Sequence, residues 1–422
     1  MRKTIVKLLF SILIVTVAIA ISSLAISQVS REKQEDLYRN IDLFSDAFAI
    51  IQSDYVDEAE PKTLVYGALK GMLLSLDAHS QFMDPDAYNE LKVDTTGRFG
   101  GLGIEITIRD GLLTVVTPLE DTPAWRAGIK AGDRVVKIDG ELTRDIDLVD
   151  AVKKMRGKPN TSVSLTVLRE GEGKLLEFKI MREVIKIIDI KDACILEEGV
   201  GYIRLVEFRQ DTPKDFRRAI SELKKQGMEA LILDLRNNPG GLLDVAVRVA
   251  ENFVEKGKLV VSMRGRKDDQ NMELFSLNKK ADLDLPLVVL VNGGSASGSE
   301  IVAAALKDYK RAIIVGTNTF GKGSVQTVVP LSDGSAIRLT TSKYFSPNGN
   351  VIHERGVKPD IIVQEGEIKL LEEEPKKDIF DQLEQPEVNP ESEDSLPLKY
   401  RTDNQLMRAL DILKALKIYR NN

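Results

Sequence analysis

The chain is poor in the residues that most often carry enzyme chemistry. Its 422 residues include one cysteine, Cys194, and two histidines, His79 and His353. A single cysteine excludes an intrachain disulfide framework and any multi-cysteine metal site. Two isolated histidines argue against a clustered metal centre and leave few candidates for a histidine-based triad. Long basic blocks are also missing. The net charge is −6, and lysines and arginines are interspersed with acids, so no nucleic-acid footprint is expected. What remains, 43% hydrophobic and 29% charged residues, is the composition of a globular protein of two or three domains.

The N-terminus departs from that average. Met1-Arg2-Lys3 and Lys7 precede an apolar stretch from Leu8 to Ile26. At about 19 residues it is long enough to span a bilayer and longer than most signal-peptide cores. Ala18-Ile19-Ala20 and Ser23-Leu24-Ala25 are candidate cleavage sites, so the segment is expected to be an anchor or a signal peptide. The positive-inside rule places the rest of the chain outside the cytoplasm in either case, on the periplasmic or cell-surface side.

Six stretches follow from composition and periodicity: the segment 1–30, a helical region 31–93, a β-rich unit 94–182, an α/β core 183–365, an acidic linker 366–395 and a terminal helix 396–422. Phe44, Ala47, Phe48 and Ile51 share one helical face, and Leu64, Ala68, Leu69 and Met72 form another after Pro61. In the β-rich unit, Leu102–Ile108 and Leu112–Pro118 flank an Asp110-Gly111 turn. In the core, strands at Tyr202–Phe208, Ala230–Leu235, Leu259–Met263, Leu287–Val291 and Ala312–Val315 alternate with helices at Lys214–Gln226, Leu243–Glu255 and Ser297–Lys307, an α/β pattern. The linker carries Glu372-Glu373-Glu374-Pro375 and further prolines.

Three core segments carry chemistry. Asn292-Gly293-Gly294-Ser295-Ala296-Ser297-Gly298 leads from a strand into a helix, where free amides and the helix dipole favour negative charge at a serine. Such a turn taken alone does no more than cap a helix. Asn237-Asn238-Pro239-Gly240-Gly241 is a second strand-to-helix turn, whose glycines allow close backbone approach and offer amides for an oxyanion. Thr319-Phe320-Gly321-Lys322-Gly323 carries a lysine that becomes a general base if desolvated, with Gln326 four residues on to orient the amine.

Together these segments resemble the carboxy-terminal processing peptidases, also called tail-specific proteases. In that family a serine follows a Gly-Ser-Ala-Ser turn and a lysine follows in Phe-Gly-Lys-Gly; here Ser297 lies 25 positions before Lys322. The resemblance implies Ser297 as nucleophile, Lys322 as base, Gln326 as its positioning residue, and an oxyanion hole from the Gly298 amide with that of Gly240 or Gly241. Ser295 and Ser299 are the rival nucleophiles. Residues 98–182 resemble the family's PDZ domain, with Gly101, Leu102, Gly103 and Ile104 at the carboxylate-binding loop and Leu148–Met155 as the groove helix. Arg156, just after that helix, is a candidate relay between PDZ domain and protease.

The resemblance implies a multi-domain α/β protein: a crotonase-like α/β peptidase core with an inserted β-rich PDZ domain and a helical N-terminal region. It implies a serine endopeptidase that recognises protein C-terminal regions and hydrolyses peptide bonds through an acyl-enzyme, with no cofactor and no metal. Expected partners are peptide or protein substrates, the inner membrane through the N-terminal segment, and a second copy of the chain. The alternative is a non-catalytic extracytoplasmic PDZ scaffold on a peptidase-like fold. A coenzyme A acyl-transfer enzyme on the crotonase fold would need a basic phosphate-binding loop, which the sequence does not show. Cys194 has no visible activating partner in the sequence; the resemblance makes His79 structural and puts His353 where the family carries a polar residue near a closing strand.

Overall fold

The computed structural model describes residues 35–119, 121–144, 146–278, 285–368 and 397–421. The candidate anchor and nearly all of the acidic linker lie outside them. No helix among the described residues is long and apolar enough to cross a membrane. The chain divides into two units, 1–82 and 83–422.

In the first unit a helix covers 35–54 and a second runs Pro61–Leu74. Pro61 sits in its first turn, where the missing amide is no loss. The apolar face anticipated on the first helix is present but open: Leu37, Ile41, Phe44 and Ile51 are all exposed.

The second unit contains the β-rich unit and the α/β core. In the former, the strands Ile104–Arg109, Leu112–Pro118, Arg134–Ile138, Ser162–Leu168 and Leu176–Met181 form an antiparallel sheet in that spatial order. Its core gathers Leu113, Val115, Val135, Val163, Leu165 and their neighbours. Strand Arg98–Gly101 pairs antiparallel with Glu183–Lys186, so the chain enters and leaves this unit side by side. The strand expected from Leu102 begins instead at Ile104. Gly103 takes a φ of 75°, which ends the extended backbone there, and a Cβ would meet the Thr122 side chain at 2.3 Å.

The core is built on a six-stranded sheet in the order Ile190–Ile195, Val200–Leu205, Ala230–Asp234, Leu287–Val291, Ile313–Gly316, Ile361–Ile362. The first pair is antiparallel and the others are parallel. Alternation along each strand feeds two hydrophobic layers. Ile203, Leu231, Leu233 and Val289 pack with helices Thr212–Lys225, Leu243–Ala250 and Gly298–Asp308. Tyr202, Ile232, Val288 and Leu290 pack with Leu406, Leu410 and Leu413 of the terminal helix Asn404–Asn421. A second, antiparallel group pairs Ala336–Phe345 with Ser324–Pro330 and Leu259–Gly265, and the latter with Met272–Phe275.

The helix expected to reach Glu255 stops at Ala250. The Asn252 amide donates to the carbonyls of Arg248 and Val249, taking acceptors the helix would use to continue. The strand expected to reach Phe208 stops at Leu205, and Phe208 instead bridges to Gly241.

Candidate active site

Three neighbouring strands of the parallel set, Ala230–Asp234, Leu287–Val291 and Ile313–Gly316, each end in a loop that carries one of the three chemical segments, the usual site position in open α/β sheets. Leu287–Val291, fully buried, delivers the chain to Asn292. The Asn292 side chain accepts from the Asn237 amide at 2.9 Å and the Gly294 amide at 3.0 Å, and donates to Asn237 Oδ1 and Glu365 Oε1. One amide side chain thus joins the serine turn to the glycine turn. Ser295 Oγ donates to the Leu235 carbonyl at 2.7 Å, and Ser299 Oγ to the Asn238 carbonyl at 2.9 Å. Both rival serines are fully buried in structural bonds.

Ser297 differs from them. It precedes helix Gly298–Asp308 with φ 51° and ψ −110°, so the helix expected from Ser297 starts one residue later. A non-glycine residue there stores about 1–3 kcal/mol, tolerated where surrounding bonds impose it. The imposing group is Glu300. Its fully buried carboxylate accepts from the Ser297 amide at 2.9 Å, the Gly321 amide at 2.7 Å, the Lys322 amide at 2.8 Å and Thr319 Oγ1 at 2.5 Å. A single carboxylate therefore holds the serine turn and the lysine loop together. Burial raises its pKa, partly opposed by these donors.

The lysine loop is clamped from its other side. Glu354 N donates to Gly321 O at 2.8 Å, and a Cβ on Gly323 would come within 2.1 Å of His353 N. Only glycine fits there. Burial, and then the charge of Arg338, lower the Lys322 pKa from 10.5, with Glu300 opposing. A base must be neutral to accept the serine proton, so burial suits Lys322 to that role. Gln326 turns to Ser324, its Nε2 donating to Ser324 Oγ at 2.8 Å. Among the described residues no hydrogen bond joins Ser297 Oγ to Lys322 Nζ. Burial pushes the pKa of the nearby Tyr344 phenol up to about 12, partly opposed by Ser297.

The lowered lysine pKa has a consequence for stability. Between the folded-state pKa and 10.5 the unfolded chain binds more protons, so stability rises with pH across that window. Lys322→Met should accordingly melt above the wild type at neutral pH, with the difference closing as pH approaches 10.5. Melting curves from pH 7 to 10.5 measure this; a difference independent of pH would contradict the desolvation account.

In the glycine turn, Gly240 has a φ of 105°, and a Cβ on it would lie 2.7 Å from Ser297 Cβ and 2.8 Å from the Gly298 amide. Its own amide is already given to Asn238 Oδ1 at 2.9 Å. The amides of Gly241 and Gly298 donate to no described residue. The turn begins at Arg236, whose partly buried guanidinium pairs with Asp234 at 2.7 Å and Asp403 at 2.6 Å. The Tyr202 hydroxyl also donates to Asp234, so the turn is anchored to the terminal helical segment.

Of the remaining candidates, Gly101, Leu102, Gly103 and Ile104 line a groove with Met155 and Arg156, between strand Ile104–Arg109 and helix Leu148–Met155. The Arg156 guanidinium lies 4.6 Å over the Phe99 ring in that groove. His79 belongs to the first unit, where its amide donates to Asp77. His353 lies beside the lysine loop; its Nε2 is 3.7 Å from Glu354, and its buried Nδ1 has no partner among the described residues. Cys194 faces Tyr400 at 3.7 Å, and burial pushes its thiol pKa up. No group of metal-ligating side chains occurs among the described residues.

Sequence reading missed Glu300 and Asn292. The first had a signal: Ser297-Gly298-Ser299-Glu300 is a serine followed three residues later by glutamate, the pattern of a capping box.

Comparison with other proteins shows the family. A family model described as peptidase family S41 matches residues 199–363, a PDZ domain model matches 114–169, and an activating protease CtpB N-terminal domain model matches 13–87. A carboxy-terminal-processing protease of Bartonella bacilliformis is 43% identical over 343 residues, 80% of this chain and 78% of that protein. The carboxy-terminal processing protease CtpB of Bacillus subtilis is 37% identical over 329 residues, 77% of this chain and 68% of that protein. A solved photosystem II D1 C-terminal processing protease shares 33% identity, covers 76% of this chain and 92% of its own, and gives a TM-score of 0.44. This chain therefore belongs to the carboxy-terminal processing proteases of peptidase family S41, serine-type peptidases, and carries a PDZ domain.

Proposed function

We propose that the chain is an extracytoplasmic endopeptidase that captures protein C-terminal regions in its PDZ groove and cuts peptide bonds with Ser297 and Lys322. The observation that carries this reading is the Glu300 carboxylate, which binds the amides of both residues and so brings nucleophile and base into one site. Neutral Lys322 takes the Ser297 proton, and Oγ attacks the substrate carbonyl. The Gly298 amide and one from the Gly240-Gly241 turn hold the oxyanion, and the free Gly241 amide favours that residue as the second donor. Protonated Lys322 then gives its proton to the leaving amine, and water repeats the sequence on the acyl-enzyme. Gln326 reaches the Lys322 amine in the engaged site after leaving Ser324, and Arg156 relays occupancy of the PDZ groove to that segment.

The N-terminal segment holds the protein at the membrane, or directs its export if cleaved. The exposed apolar face of the 35–54 helix supports pairing with a second copy. In the PDZ groove a substrate adds a strand beside Ile104–Arg109 and places its carboxylate at Gly101–Ile104.

The test compares two peptides that differ only in a free or amidated C-terminus. Amidation should raise KM at least about tenfold, because a buried carboxylate contact to amides is charge-assisted. Mass spectrometry of acid-quenched reactions should find the acyl group on Ser297. Binding without cleavage of either peptide would leave the scaffold alternative standing, and equal KM values would remove the PDZ domain from substrate selection.

A further inference from the structure

A polar cavity of about 540 Å³ lies beside the serine and glycine turns, and neither Ser297 nor Lys322 lines it. Its volume falls within the range of small-molecule sites. Strands Val200–Leu205, Ala230–Asp234, Leu287–Val291 and Ile361–Ile362 bring Arg204, Arg236, Asn292 and Glu365 to it from their C-terminal ends. Most polar groups in its wall are spent on one another. Arg236 gives its guanidinium to Asp234, Asp403 and Gln405. Lys399 pairs with Asp192, and the Asn292 side-chain amide donates to Asn237 Oδ1 and Glu365 Oε1. Arg204, Glu367 and the second oxygen of Glu365 are left over. Arg204 makes no hydrogen bond or ion pair among the described residues, and its Nε is buried without a partner. An arginine carries five donors and keeps its charge, so leaving it unpaired against the protein interior is costly.

We propose that this cavity binds a small zwitterion, an amino acid or short peptide with both ends free, its carboxylate on the Arg204 guanidinium and its ammonium on Glu365 and Glu367. A simple anion would face two carboxylates there, and a simple cation would face Arg204, whereas a ligand of both signs matches all the groups left over. A peptidase releases molecules of this class. Asn237 and Asn292 line the cavity and tie the glycine turn to the serine turn, so the site adjoins the reactive turns without using them. It does not depend on the roles given to Ser297 and Lys322.

Equilibrium dialysis of the full-length Ser297→Ala chain, which leaves peptides uncut, tests this with radiolabelled glycine and triglycine. Binding of either supports the proposal, and the tighter of the two names the source as free amino acids or short peptides. N-acetylation or C-terminal amidation of the tighter probe should each weaken binding about tenfold or more, the usual worth of a hydrogen bond to a charged group. Arg204→Met should weaken binding by a similar factor and make amidation indifferent. Glu365→Gln with Glu367→Gln should do the same for acetylation. Both glutamates are exposed, so this second variant reads the site even if Arg204→Met fails to fold. Absence of binding by both probes would overturn the proposal, as would affinity unchanged in the glutamine variant. Full binding by Arg204→Met would also overturn it, placing the ligand in the PDZ groove instead.

Discussion

Ser297→Ala should reduce peptide hydrolysis by at least about 10⁴-fold while the protein still folds and still binds C-terminal peptides. The replaced hydroxyl is the only one of the three serines in its turn not consumed by a bond to the neighbouring glycine turn, since Ser295 and Ser299 are held by Leu235 and Asn238. No adjacent hydroxyl can take over without dismantling that turn. Lys322→Ala should cause a loss of the same order. Because the two act as a unit, the double variant should be little worse than either single one. A fluorogenic peptide assay with each variant decides the matter: substantial activity in Ser297→Ala would remove it as nucleophile. Full activity in Lys322→Ala with loss in His353→Ala would transfer the base to the histidine beside the lysine loop.

Replacing Glu300 should have the largest combined effect on stability and activity. Its carboxylate is the common acceptor for three backbone amides and the Thr319 hydroxyl, all in the protein interior. In Glu300→Ala those donors lose their partner, and an unsatisfied buried group costs about 1–3 kcal/mol. Several such losses are a large fraction of the roughly 5–15 kcal/mol that separates folded from unfolded domains. The melting temperature should fall by about ten degrees or more, and kcat by about 10²-fold or more, because Ser297 is released from its unusual φ and the lysine loop from the serine turn. Glu300→Gln keeps the volume and one acceptor oxygen but turns an amide donor toward other donors, so it should fall between alanine and wild type. Thermal melts and steady-state kinetics on both variants test this. An alanine variant with wild-type kcat would show that the carboxylate does not hold the two reactive residues in register.

Several features of the fold were legible in residue order. The groove helix Leu148–Met155 matches its sequence boundaries. Asp147 supplies the cap, its side chain accepting from the Asp150 amide at 2.7 Å, and apolar residues recur at helical spacing. Buried strands such as Leu287–Val291 are continuous apolar runs bounded by turn residues, so they too stand out. Boundaries failed where one side chain or one dihedral decided them: Asn252 ending a helix and Gly103 breaking a strand.

For the site, residue types and spacing marked three candidate segments, and the resemblance to the carboxy-terminal processing peptidases picked Ser297, Lys322 and the two glycines out of them. The serine-to-glutamate spacing of a capping box, Ser297 to Glu300, is also local, though it went unread. Only the tertiary structure turned that cap into a clamp on a loop more than twenty residues away, used up Ser295 and Ser299, and gave Gln326 to Ser324. Backbone sterics and apolar periodicity act over a few residues and are written into the order of the chain. Which side chain meets Ser297 depends on sheet register and on how strand Ala336–Phe345 packs against the lysine loop, and that is settled only when distant segments fold together.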